Sequence, residues 1–152
     1  MERYDDMKKQ LGVLILALVL LLTACAGKGA FTADDVSRAL EKNGLEVEEI
    51  TLEEAEQLAS TGIEINGKAP VPLELTLPTG DMAHREFLLL YVFSSEKERI
   101  RIEREDGTPV PIKLKDLYPH LFKKNNLIAV YWSGNKDNPL LMKQITRAMD
   151  KL

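Results

Sequence analysis

Two uninterrupted apolar runs, Phe87–Phe93 and Leu127–Trp132, limit the folds open to this chain. Each has the length of an ordinary β-strand, and neither shows the polar alternation of a strand with one face in water. Strands of this kind lie in the middle of a sheet whose two faces are both covered. Trp132 shares a strand face with Ile128 and Val130, so we expect it to be buried. The chain therefore needs helices on its sheet.

Three amphipathic segments can supply those helices. Thr32 precedes acidic residues that suit a first turn, and Asn43-Gly44 is a C-terminal stop. Thr51 and Glu54 fit a capping box for a second helix. Asn138, followed by proline, predicts the start of a third. The apolar residues expected to be buried are Val36, Ala39 and Leu40 in the first helix, Leu52, Ala55, Leu58 and Ala59 in the second, and Leu141, Ile145, Ala148 and Leu152 in the third.

The remaining segments predict short elements between these helices. Residues 45–50 fit a short strand, and residues 73–77 alternate as a half-buried strand with Glu74 and Thr76 outward. Residues 95–105 fit either a helix or an edge strand, and the charge content favours the helix. Residues 114–122 suggest a short helical turn interrupted at Pro119. Together these patterns predict one α+β domain over residues 32–152.

Residues 1–24 have the layout of a secretory signal peptide. Lys8-Lys9 precede the apolar run Leu11–Leu22, which at 1.5 Å per residue extends about 18 Å. A bilayer core is ~30 Å thick, so a permanent transmembrane helix is the weaker interpretation. Translation from Met1 and translation from Met7 both fit this layout.

The sequence Leu22-Thr23-Ala24-Cys25 resembles the lipobox of bacterial lipoproteins. The resemblance implies a diacylglycerol thioether on Cys25 and cleavage before it, with Leu22, Thr23 and Ala24 recognised by the signal peptidase. Cys25 is the chain's one cysteine. Residues 25–31 then form a lipidated tether, in which the six residues after Cys25 reach about 20 Å when fully extended.

Composition excludes several classes of function. A net charge of −4 argues against nucleic acid as a partner. One cysteine excludes a disulfide framework and a Cys-rich zinc site. No nucleotide-binding loop or Gly-x-Ser-x-Gly elbow is present, and Ser94-Ser95 fit helix capping better than nucleophilic catalysis. We therefore predict no cofactor, no metal and no catalytic residues.

Two histidines carry the alternative of an enzyme. His84 and His120 could meet Asp81, Glu86 or Asp116 in a hydrolytic or metal site, although their spacing fits no metal motif. The loop 133–137 is the first place to expect a polar ligand. Lys143, Arg147 and Lys151 could face an anionic partner, but the ordinary polar side of a helix is favoured.

The chain as a whole resembles small, uncharacterised lipoproteins of Gram-positive, Bacillus-like bacteria. The resemblance rests on the lipobox, on Tyr91–Glu96, on Asn126–Trp132 and on the last amphipathic helix. It implies the outer face of a cytoplasmic membrane, or the outer membrane if the host is Gram-negative, and it brings no catalytic residues. We predict a non-enzymatic binding or accessory domain whose partner is an envelope protein or cell-wall component. A solute-binding component of a transporter ranks last, because the chain is short for a two-lobed clamp.

Overall fold

A five-stranded antiparallel sheet forms the centre of the computed structural model, which describes residues 29–59, 62–78, 86–106 and 116–152. Four helices within these ranges accompany it, so the predicted α+β class and single small domain are confirmed. In chain order the elements are α1 (Ala33–Lys42), β1 (Glu46–Glu49), α2 (Leu52–Leu58), β2 (Val71–Thr76), β3 (Glu86–Val92), α3 (Glu96–Asp106), β4 (Tyr118–Lys124), β5 (Leu127–Ser133) and α4 (Met142–Lys151).

The strand order is β1-β2-β3-β5-β4. After β3 the chain passes through α3 to the far edge of the sheet, forms β4, and returns as β5 between β4 and β3. Asn125 lies in the tight turn that joins β4 to β5 and has a φ of 43°, a backbone conformation that Asn tolerates better than most residues. The two apolar runs thus lie side by side, with Phe87 opposite Trp132.

Both faces of the sheet are covered, as the apolar runs predict. The first face, with Leu88, Leu90 and Ala129, packs against α1 and α4. The second face packs against α2, α3 and the segment around Ile63. Trp132 lies in this second core with 1% of its surface exposed, so its predicted burial is confirmed.

Local signals for helix and turn boundaries are confirmed at several points. Capping boxes begin α1 at Thr32 and α2 at Thr51. The backbone N–H of Thr32 donates to Asp35, which lowers the pKa of that carboxyl. Gly44 follows α1 with a φ of 86°, the left-handed conformation that suits glycine at a helix end. The predicted helix over residues 95–105 is confirmed as α3.

Three predictions about elements are wrong. Residues 118–124 form the edge strand β4 and not a helical turn, and Pro119 is tolerated there because an edge strand leaves one row of backbone groups unpaired. The last helix begins at Met142, without a side-chain cap, and not at Asn138-Pro139. Glu74 is buried and not outward, because β2 is covered on its second face too.

The two outer strands carry many polar residues. In β1, Glu46, Glu48 and Glu49 are exposed. In β4, Pro119 and Lys123 are exposed. No helix among the described residues is long and apolar enough to cross a bilayer.

Candidate functional site

Some of the site residues predicted from the sequence are described by the structure, and others are not. Residues 22–25, Asp81 and His84 lie outside the described residues. Of the remaining candidates, Asp116 is exposed, Glu86 begins β3 and is buried, and His120 lies in β4. Glu86 and His120 both meet the side chain of Tyr131.

Glu86 is held by two hydroxyl groups at one end of the sheet. The Tyr131 hydroxyl donates to one carboxylate oxygen, and the Ser133 hydroxyl donates to the other over 2.8 Å. The Tyr131 oxygen also accepts the backbone N–H of Leu141 at 3.0 Å. This network ties the segment before α4 to the sheet, and its members Glu86, Tyr131 and Ser133 are all buried.

His120 packs beside this network without joining it. Its ring lies 5.7 Å from the Tyr131 ring, and its buried Nε2 has no hydrogen-bond partner among the described residues. Within the described ranges no three His, Cys, Asp or Glu side chains are grouped as metal ligands. The predicted polar loop at 133–137 is ordered by local bonds, because Asn135 Oδ1 accepts the backbone N–H groups of Asp137 and Asn138.

Burial raises the pKa of two tyrosines. For Tyr91 desolvation is the cause, and its hydroxyl donates to the Ile63 carbonyl over 2.6 Å. For Tyr131 desolvation comes first, and the hydrogen bond to Glu86 adds to it. Both hydroxyls therefore keep their protons in the folded protein at pH values where an unfolded chain loses them.

We expect stability to fall steeply in alkaline solution for this reason. A pKa that is raised in the folded state gives stability that is complete below the unfolded pKa of about 10 and is lost as pH rises above it. The free energy of unfolding should drop by about 1.4 kcal/mol per pH unit for each of the two tyrosines. Urea unfolding followed by Trp132 fluorescence at several alkaline pH values measures the slope. Tyrosinate absorbance that reaches its full value while Trp132 still reports a folded protein would contradict the expectation.

A second polar site fixes the first described residues of the chain to the opposite end of the sheet. The buried side chain of Asn126 accepts the backbone N–H of Phe31 at 2.8 Å and donates to the Phe31 carbonyl at 2.9 Å. Its amide also donates to the Phe93 carbonyl at 2.9 Å. We call these three bonds the Asn126 clamp. The first described residues are therefore fixed beside the β4–β5 turn.

Arg99 holds the same turn from the other side. It is one of the few buried charged residues, and its Nε donates to the Asn125 carbonyl. Glu103 accepts from Arg99 at 3.0 Å and from Lys123 at 3.1 Å. The turn that carries the Asn126 clamp is thus fixed to α3 by a charge-assisted hydrogen bond.

A groove of about 910 Å³ lies beside the first described residues of the chain. Gly29, Ala30 and Phe31 line one part of it. Residues of α1, the β4–β5 turn and the end of α4 line the rest, and their charged members are Asp35, Arg38, Lys42 and Lys151. We call this the entry groove. Lys151 thus belongs to a concave surface, while Lys143 and Arg147 are exposed on α4 outside the groove lining.

Sequence reasoning did not assign roles to Asn126, Arg99 or Tyr131. The sequence offers one signal for Asn126, because Asn125-Asn126 lie between two segments that form strands. The hairpin of β4 and β5 was not predicted, because residues 114–122 were expected to form a helical turn. No family model, curated protein or solved structure matches the chain.

Proposed function

We propose that the protein is an extracytoplasmic lipoprotein held at a membrane by a diacylglycerol thioether on Cys25. Leu22, Thr23 and Ala24 would be recognised by the peptidase that removes residues 1–24. The sequence Leu22-Thr23-Ala24-Cys25 behind an apolar run is the observation that carries the proposal. Two or three acyl chains give stable anchoring, whereas one chain is marginal.

The Asn126 clamp supports this proposal. An anchored domain needs a junction at which the tether ends and the fold begins, and the side chain of Asn126 holds the backbone of Phe31 at the start of the described fold. From there β5 runs seven residues to Ser133, about 23 Å at the usual rise per residue. The Glu86 network and the loop after Ser133 therefore lie at the end of the sheet away from the tether.

We propose a non-enzymatic binding or accessory role within reach of the membrane surface. The short tether keeps the domain close to the bilayer, and the polar loop after Ser133 is the part best placed for an envelope protein or cell-wall partner. The likeness to Gram-positive lipoproteins favours the outer face of the cytoplasmic membrane, with the outer membrane as the location in a Gram-negative host.

Mass spectrometry of the N-terminal peptide from membrane-extracted protein tests the anchor. We expect a peptide that begins at a diacylglyceryl-modified Cys25 in the wild type and in the tether control Ala30→Ser. The Cys25→Ala variant should stay unprocessed or be released. An unmodified Cys25 behind an intact residue 1–24 segment would refute the proposal.

The alternative function is a surface hydrolase or metal-dependent enzyme that uses His84 and His120. The observation that favours it is the meeting of Glu86 and His120 at Tyr131. Elemental analysis of protein purified without chelators tests the metal-dependent form. Stoichiometric metal that is lost in a His84→Ala/His120→Ala variant would support it, and wild-type protein that retains no metal after incubation with excess Zn²⁺ would refute it.

A further inference from the structure

The entry groove has more basic than acidic side chains in its lining. Arg38, Lys42 and Lys151 face it together with Asp35. Asp35 is occupied, because it pairs with Arg38 at 2.8 Å and accepts from Thr32 in the capping box. Lys151 Nζ donates to the neutral Asn43 Oδ1 at 3.0 Å. Neither Lys42 nor Lys151 makes an ion pair with any residue in the described ranges, so their charges are available to an anion.

The chain itself limits how far this groove can lie from the proposed anchor. Gly29 lines the groove, and residues 26–28 alone separate it from Cys25. The Cα atoms of Cys25 and Gly29 are therefore within about 15 Å of each other. If Cys25 is lipidated, the groove stays within reach of the phospholipid headgroups.

We propose that the entry groove binds the phosphate group of an anionic phospholipid and so sets the orientation of the domain on the membrane. This inference rests on the proposed lipid anchor. The whole chain carries a charge of −4, so an anionic surface repels most of the domain. The two lysines of the groove attract such a surface, and they lie close to the proposed anchor. The result is one preferred orientation, with the loop after Ser133 directed away from the bilayer.

The test uses the lipidated full-length protein in two kinds of vesicle, phosphatidylcholine alone and phosphatidylcholine with phosphatidylglycerol. Because the Cys25 sulfur is blocked by its thioether, a cysteine introduced as Ser37→Cys on α1, outside the groove lining, takes a fluorophore selectively. Asn138→Cys provides a matched label at the far end. Lipids with a spin-labelled headgroup quench a fluorophore that lies near the surface.

We expect stronger quenching of the Ser37→Cys label in phosphatidylglycerol vesicles than in phosphatidylcholine vesicles, and no such gain for the Asn138→Cys label. Lys42→Gln with Lys151→Gln should abolish the gain, since each lysine near an anionic surface changes the oriented population about fivefold. The double variant Lys143→Gln with Arg147→Gln removes the same amount of charge outside the groove lining, and it should retain the gain in quenching. Trp132 fluorescence confirms that each variant is folded.

Two results would overturn the inference. One is equal quenching of the Ser37→Cys label in the two kinds of vesicle. The other is an equal loss in both double variants, which would mean that net charge alone acts. Failure of the anchor itself is a separate result, because the N-terminal mass spectrum reports it before any vesicle is used.

Discussion

Replacing Tyr131 with phenylalanine should lower the free energy of unfolding by about 3–5 kcal/mol. The substitution keeps the ring in the core and removes one oxygen that serves two partners. Glu86 loses a donor while it stays buried, and the N–H of Leu141 loses its acceptor. A buried polar group without a partner costs about 1–3 kcal/mol, and more when a charge is involved. The two losses occur together because both bonds use the same hydroxyl.

Urea unfolding followed by the fluorescence of Trp132 measures this effect. Trp132 is the chain's one tryptophan and is buried in the second core, so its emission reports loss of the fold. Tyr118→Phe is the matched control, because Tyr118 is 44% exposed and the same atom is removed. We expect the control to change stability by less than about 0.5 kcal/mol. A Tyr131→Phe protein as stable as the control would show that the network does not hold α4 to the sheet.

Replacing Asn126 with alanine should lower the free energy of unfolding by about 2–4 kcal/mol and loosen residues 29–32, which we call the entry segment. Three hydrogen bonds are lost. One of them is the bond that the Asn126 amide donates to the carbonyl of the buried Phe93, and alanine has no group that could replace it. The backbone groups of Phe31 lose both bonds of the clamp, so the segment before α1 should open more often than the rest of the fold.

Two readouts separate the parts of this prediction. Urea unfolding gives the global cost, and limited proteolysis reports cleavage near residues 29–31. Asn138→Ala is the control, since Asn138 is exposed and its side chain makes no hydrogen bond to the described residues. Equal cleavage of the two variants would mean that the entry segment is held by something other than Asn126.

The features that could be predicted from the sequence depend on near neighbours along the chain. The capping boxes at Thr32 and Thr51 join residues three positions apart. The two apolar runs predict buried strands from their own composition. The likeness of residues 22–25 to a lipobox is equally local, and it stays a prediction. β4 was not predicted, because this edge strand combines Pro119, His120 and Lys123 with apolar residues and so lacks a clear pattern. Its pairing partner is β5, which follows it in the chain.

The polar sites escaped prediction for a different reason. Glu86 and Tyr131 are 45 residues apart, and Phe31 and Asn126 are 95 apart. Their meeting depends on the strand order of the sheet, in which β5 lies between β3 and β4. A sequence pattern shows that each residue is polar and near an apolar run, but it does not show which polar residues share a strand face.

The acidic outer strand β1 matters for how densely copies can gather. A second copy that tried to extend the sheet through β1 would bring rows of glutamates face to face, and like charges in register oppose strand pairing. At the other edge, Pro119 lacks the N–H that an incoming strand would need. If the proposed anchor holds the molecules on a membrane, they collide there far more often than molecules in free solution. A sheet with both borders protected in this way can be crowded without growing into a fibre.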